Sequence, residues 1–303
     1  DYIVSWHHDL LCRKLDAVVR GEIKRLMVFE PPRHGKSELV SRRLPAYLLG
    51  RHPDAAIIAC TYSADLAGVL NRHVQLIMDS PEYGRLFPGT LLYSGNVRTL
   101  AGSRGLYLRN SDIFEVVGRR GVYRGAGRGQ GITGMGGQLL IIDDPLKDRA
   151  EADSPTIRRS LWEWYISTFR TRLAAGGAIV LVQTRWHEDD LAGRLLRLAE
   201  DDPKSDQWEI ISLPAVCECA GQPNDPREPG EPLWPERYPL SDLEKIKQNS
   251  AYEWASLYQQ HPRPEGGVEW PESYFGKEIW VDEMPRKLTI RTIALDPSKG
   301  SGK

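Results

Sequence analysis

No apolar run in the 303 residues approaches the roughly 18 that a membrane-spanning helix requires, so a helical membrane protein is excluded. Cysteine is sparse. Cys12 and Cys60 stand alone, and Cys217-Glu218-Cys219 is neither a disulfide framework nor a paired zinc motif, so all four are read as free thiols in a reducing cytoplasm. A net charge of -1 gives no global sign of a nucleic-acid partner, and any such contact must come from a local cluster of basic residues. There is no internal repeat. No signal or transit peptide opens the chain, and a first residue of Asp1 leads to the expectation that native residues precede it. What is present, 41% apolar and 27% charged residues, is the composition of an ordinary globular enzyme.

Periodicity divides the chain. Val4, Leu10, Leu11, Leu15, Val18 and Val19 space as a helix over 3–19, and 25–30 (RLMVFE) reads as a short buried strand. Helical spacing resumes over 38–49, a continuous apolar strand covers 55–61, and a helix covers about 65–78. Residues 98–117 alternate as hairpin strands, and 118–137 is so rich in glycine that a loop is expected. Apolar strands at 139–142 and 178–182 flank an aromatic helix at about 161–173. This strand-helix alternation predicts an α/β fold built on a mostly parallel sheet covered by helices. Beyond Leu213 proline, glycine and charge dominate, as in a linker or lid. A helix then runs from Ser241, its expected N-cap with Glu244 completing a capping box, to Gln260. Residues 288–295 form a last strand ending in Asp296.

Two carboxylates and a phosphate-type loop carry the chemistry. In Phe29-Glu-Pro-Pro-Arg-His-Gly-Lys-Ser37, between strand and helix, backbone N–H groups and a helix N-terminus would surround phosphates. Lys36 would charge-pair the β/γ oxygens, and the Ser37 hydroxyl would reach Mg²⁺. Glu30 occupies the place of the usual first glycine. The strand 139–142 then delivers Asp143 and Asp144 at its C-terminal edge, where ligands bind in parallel sheets. Asp143 would hold Mg²⁺ through water, and Asp144 would orient or deprotonate an attacking water. The two halves together point to hydrolysis of a nucleoside triphosphate. A local basic cluster also exists: Arg98, Arg104, Arg109, Arg119, Arg120, Arg124 and Arg128 stand against only Asp112 and Glu115.

With these residues in view, the set PPRHGKS, IACTYSADLAG, LLIIDDPLKD and VLVQTRWHEDDLAGRLL resembles the large terminase subunit of tailed double-stranded DNA bacteriophages, from Trp6 to Asp296. The resemblance implies a RecA- and helicase-like P-loop ATPase core over 1–213, a lid or linker subdomain over 214–287, and the first strand of a truncated RNase H-like nuclease over 288–303. It implies an ATP site made of Trp6, His7, Pro31, Pro32, Arg33, His34, Gly35, Lys36, Ser37 and Glu38. Trp6-His7 would contact adenine and Arg33 would approach the γ-phosphate within the same subunit. Gln183, Thr184 and Arg185 would form the coupling motif that senses the γ-phosphate, and Tyr62-Ser63 matches the turn after the second strand. Asp296 resembles the first metal ligand of the nuclease, whose other carboxylates lie further on.

The implied partners are double-stranded DNA, the portal protein and the small terminase subunit. The implied assembly is a ring on the procapsid, with a monomer in isolation, in the cytoplasm of the infected host. Two departures stand out. Asp144 replaces the more common glutamate, and residues 131–137 have no arginine where related motors carry the trans-acting one. Arg128 or Arg124 is the candidate for that part, and Arg119, Arg120 and Arg124 for contact with DNA or a neighbouring subunit. A superfamily 2-like helicase or translocase, and a P-loop switch without motor activity, remain alternative readings.

Overall fold

The computed structural model describes residues 2–93, 97–98, 106–221 and 224–262. In chain order the elements are α1 (Trp6–Val19), β1 (Arg25–Phe29), a π-helical turn (Glu38–Arg43) leading into α2 (Leu44–Arg51), β2 (Ala56–Thr61), α3 (Ala64–Met78) and α4 (Pro81–Leu86). Four short strands follow, β3 (Val97–Arg98), β4 (Tyr107–Leu108), β5 (Ile113–Glu115) and β6 (Val122–Gly127). Then come β7 (Gly137–Asp143), α5 (Arg149–Asp153), α6 (Pro155–Trp164), β8 (Leu173–Val182), α7 (Leu191–Asp201) and β9 (Glu209–Ser212). The last described elements are α8 (Leu240–Asn249), α9 (Ala251–Glu253) and a π-helical turn (Trp254–Tyr258).

Seven strands form one sheet in the order β5-β6-β2-β7-β8-β1-β9, parallel throughout except for the β5–β6 pair. The expected α/β class with a mostly parallel sheet is what the chain adopts. Its central strands read as unbroken apolar runs because helices cover both faces. Alternate residues of one strand go to opposite cores. Leu26, Val28, Ile57, Ala59, Leu139, Ile141, Val180 and Val182 pack with Leu11 and Leu15 of α1, Leu49 of α2 and Val74 of α3. Met27, Phe29, Ile58, Cys60, Leu140, Ile142, Ile179 and Leu181 pack with Leu161 of α6 and with Leu191 and Leu195 of α7.

Three expectations need correction. Residues 118–137 are not one loop, because β6 lies among them, inside the sheet between β5 and β2. Its glycines serve close approach rather than a turn: a Cβ on Gly127 would lie 2.5 Å from the Ala64 nitrogen, where α3 begins against the strand. Residues 98–117 form the expected hairpin only in part, through an antiparallel bridge between Arg109 and Phe114 closed by the Asn110 amide on the Ile113 carbonyl. Val97–Arg98 pairs in parallel with Tyr107–Leu108, while Ile113–Glu115 pairs antiparallel with β6. Finally, Ser241 is not an N-cap. α8 starts at Leu240 with Pro239 in the cap position and no side-chain cap bond, since the proline φ of -63° already suits helix entry. The helix expected to run on to Gln260 breaks at Ser250, whose hydroxyl accepts from the Glu253 amide and restarts the chain as α9.

The proline-rich stretch beyond Leu213 is tightly packed. Leu213, Ala215, Cys217, Leu233 and Trp234 are buried. Arg227, itself buried, is held by both carboxylate oxygens of Asp225 and by the carbonyls of Pro214 and Glu231. The expected strand 288–295, Asp296 and the segment 288–303 lie outside the described residues.

Candidate functional site

The C-terminal edge of the sheet gathers the loop after β1, the end of β7 and the end of β8. A cleft of about 840 Å³ opens there, lined by Pro32, Arg33, Gly35, Lys36, Ser37, Glu38, Asp144 and Thr184 from these segments. Tyr2, Arg42, Trp186, Trp234, Arg237 and Leu257 complete the wall. The Ser37 hydroxyl donates to the Asp143 carboxylate at 3.0 Å, and the Lys36 ammonium stands 4.0 Å from Asp144. Asp144 adopts φ +43°, a left-handed conformation rare outside glycine that collects at functional sites. Its amide donates to the Val182 carbonyl, and its carboxylate accepts from the Thr184 amide at 2.7 Å. The end of β7 and the end of β8 are thereby locked together.

Beneath the loop three imidazoles form a neutral support. His7 and His8 each donate from Nε2 to the His34 carbonyl at 3.0 Å, and His34 donates from Nδ1 to the Pro32 carbonyl. Burial pulls His7 down to about 3, with the neighbouring His8 adding to it, and burial pulls His34 down to about 4. His8 Nδ1 accepts from the Ser5 amide, which fixes Nε2 as its donor. Gly35, at φ +107°, sits directly on His8: a Cβ there would lie 2.7 Å from its Nε2.

Glu30 lies fully buried, with no hydrogen-bond partner for either oxygen among the described residues. Burial pushes its carboxyl up to about 8, against the opposing charge of Lys36. At neutral pH it is therefore mostly protonated and leaves the Lys36 charge available to the cleft. Asp143 is pushed up to about 6 by burial and then by the Asp144 charge, while Lys36 and Ser37 oppose the shift. A divalent cation would relieve that buried repulsion. Mg²⁺ characteristically takes one or two protein oxygens beside phosphates and water, and the Ser37–Asp143 pair fits that donor set.

The other expected site residues divide by position. His7 and His34 are buried below the loop, and Pro31 is buried beside it. Trp6 faces a different recess, with Arg227, Glu231 and Pro235, and Arg227 lies over its ring at 5.7 Å. Gln183 and Thr184 are both buried, and with Asp144 they line a small hollow beside the cleft. Arg185 is committed to the buried Asp190 at 2.9 Å and stacks over Phe29, so it points away from the cleft wall.

The basic cluster is split by the sheet. Arg119 and Arg120 precede β6 at the edge opposite the cleft, Arg124 lies within β6, and Arg128 follows it at the cleft edge. Arg128 is tied to the Pro145 carbonyl and to Glu151. Arg109 is paired with Asp79. Arg98 is described only as backbone, and Arg104 and Asp296 lie outside the described residues.

Several wall residues escaped the sequence reading. Tyr2, Trp186, Trp234, Arg237 and Leu257 belong to no phosphate motif, and His8 was visible only as the second half of a His-His pair. Arg237 stacks over Trp234 at 5.0 Å and, like Arg33, has no ion-pair partner among the described residues. With Lys36, these two arginines make the cleft electropositive in a nearly neutral protein.

Comparisons with known proteins agree on one relationship. The family model described as terminase large subunit, T4likevirus-type, N-terminal, matches residues 27–273. No curated protein matches the sequence. Among solved structures, the large terminase of bacteriophage HK97 superposes with a TM-score of 0.50 at 12% identity, covering 81% of this chain and 48% of that one. This chain thus spans about half the length of that relative. A mutant of the large terminase ATPase domain of Thermus phage P74-26 superposes with a TM-score of 0.50 at 14% identity, covering 80% of this chain and 91% of that one. At these identities the likeness is one of fold.

Proposed function

Because the chain belongs to the T4likevirus-type family of terminase large-subunit N-terminal regions, we propose that it is the ATP-hydrolysing motor part of a DNA-packaging enzyme. The observation that carries this reading is the meeting of the Lys36-Ser37 loop with Asp143 and Asp144 at one sheet edge, 3.0 Å from Ser37 to Asp143. In it, the loop amides and Lys36 bind the β/γ phosphates, and Ser37 and Asp143 hold Mg²⁺, which supplies charge neutralisation on the phosphate oxygens. Asp144, fixed by the Thr184 amide, orients the attacking water and accepts its proton. Arg33 reaches the γ-phosphate from the same subunit. Gln183 and Thr184 report its presence to the loop beyond β8.

Packaging itself belongs to the same proposal. Double-stranded DNA is the cargo, the portal protein and small terminase subunit are the partners, and a ring on the procapsid is the working assembly. Residues 214–287 act as the lid, and a metal-dependent nuclease begins at Asp296.

The test is steady-state ATP hydrolysis with and without double-stranded DNA. Lys36→Ala should lower turnover by about 10²–10³-fold or more by removing the phosphate-directed charge. Asp144→Asn should keep Mg-ATP binding and lose turnover. Near wild-type turnover in either folded variant would sink the assignment. A slow, DNA-independent rate in the wild type would favour a nucleotide switch instead.

A further inference from the structure

Arg149 belongs to no motif read from the sequence and does not line the cleft. It opens α5, on the chain leaving β7 just after Asp143 and Asp144. A guanidinium has five N–H donors in a rigid plane, and here all five are used. Nε and Nη2 grip the two oxygens of Glu253 at 3.2 and 2.8 Å, and Nη2 also donates to the Ser256 hydroxyl at 2.8 Å. Nη1 donates to the Tyr252 hydroxyl at 3.1 Å and to the Trp186 carbonyl. The plane lies over the Tyr252 ring at 4.2 Å and the Trp186 ring at 5.3 Å.

The side chain therefore joins three segments that meet at the cleft. One is the loop after β7 that starts with Asp144. The second is the backbone after β8, where the Thr184 amide holds Asp144 and Trp186 lines the wall. The third is the helical segment 251–258, whose Leu257 also lines the wall. A planar fork with every donor committed cannot follow one segment and release another without leaving half-buried donors unpaired.

We propose that Arg149 is a positioning residue that ties the occupancy of the cleft to the position of segment 251–258. A shift of the Thr184–Trp186 backbone when a triphosphate binds or is cleaved passes through Nη1 to the Tyr252, Glu253 and Ser256 contacts. This inference rests on the nucleotide reading of the cleft.

The test compares binding of a non-hydrolysable ATP analogue with Mg²⁺, by calorimetry, with hydrogen exchange of residues 250–262. In the wild type the analogue should bind and change protection over 251–258. In Arg149→Ala the analogue should still bind within a few-fold, the protection change should vanish, and kcat should fall roughly 10- to 100-fold with little change in KM. Arg149→Lys, which keeps the charge without the fork, should not restore the response. Should Arg149→Ala not fold, Glu253→Gln removes the paired charge and should act in the same direction. A wild-type exchange response and kcat in the folded variants overturn the proposal. If the wild type binds no analogue, the nucleotide reading fails and this inference falls with it. If the analogue binds and 251–258 does not respond, only this inference fails.

Discussion

Gly35 sits on His8 with φ +107°, at the turn of the loop that carries Lys36. A side chain there would have to adopt a backbone conformation that costs on the order of 1–3 kcal/mol for a non-glycine residue. It would also displace His8 from the His34 carbonyl, a buried bond worth about 1 kcal/mol. Both penalties fall on the loop rather than on the sheet core. Gly35→Ala should therefore leave the chain folded while weakening ATP binding about tenfold or more, read by calorimetric titration beside a melting curve. Unchanged affinity would mean that the loop rearranges on binding and that the His8 support is not needed. The same residue-scale geometry explains why Glu30 is tolerated at the usual glycine position, since a mostly protonated, buried carboxyl neither crowds the phosphates nor neutralises Lys36.

The element that most changes the functional picture is β6. As an unbroken loop, the basic segment would have presented one charged surface, but as a strand it carries Arg119 and Arg120 to one sheet edge and Arg128 to the other. The Arg120 side chain is 90% exposed, with only a long 3.9 Å contact to Asp54, so it is available to a phosphate backbone. Replacing Arg119 and Arg120 with alanine should weaken double-stranded DNA binding for all sequences. It should also flatten the salt dependence by about one unit per lost phosphate contact, leaving unstimulated ATP turnover as it was. Arg128→Ala should instead leave DNA affinity alone and cut turnover in the procapsid-bound assembly, where a trans-acting arginine is worth about 10³–10⁵ in rate. An unaltered salt slope and unaltered assembled turnover would leave Arg119 and Arg120 as solvated surface and Arg128 as a structural link to Pro145 and Glu151. To act in trans, Arg128 must first leave Glu151, which lies 3.4 Å away.

At the scale of the molecule, the described residues carry the cleft proposed here to hold a triphosphate and no cluster of three or more metal-ligating side chains. Two-metal phosphodiester cleavage needs several carboxylates around ions roughly 3.5–4 Å apart, and Asp296 alone cannot supply them. The proposed cleft should hydrolyse ATP, and the proposed nuclease role of Asp296 is tested separately by plasmid cleavage with Mg²⁺ or Mn²⁺. In protein that shows such cleavage, Asp296→Ala should stop cutting without changing ATP turnover. Cleavage that survives Asp296→Ala, in protein purified free of contaminating nuclease, would show that the second active site is elsewhere.

What was legible in the amino-acid order is what depends on local chemistry. Apolar runs such as Ala56–Thr61 and Leu139–Ile142 mark strands buried on both faces, because only a covered parallel sheet can hide them. The strand-to-turn positions of Lys36-Ser37 and Asp143-Asp144 follow from the same pattern. Long-range packing decided the rest. Glycines in β6 read as a loop because their purpose, the approach of α3 at Ala64, exists only once the chain is folded. Trp234 and Leu257 belong to segments with no phosphate motif, yet the fold carries them to the cleft. The three-segment grip of Arg149 joins residues more than a hundred positions apart, which no local signal encodes. Periodicity and motif spacing express short-range preferences, and a site wall assembled from distant segments is set by which faces the tertiary core brings together.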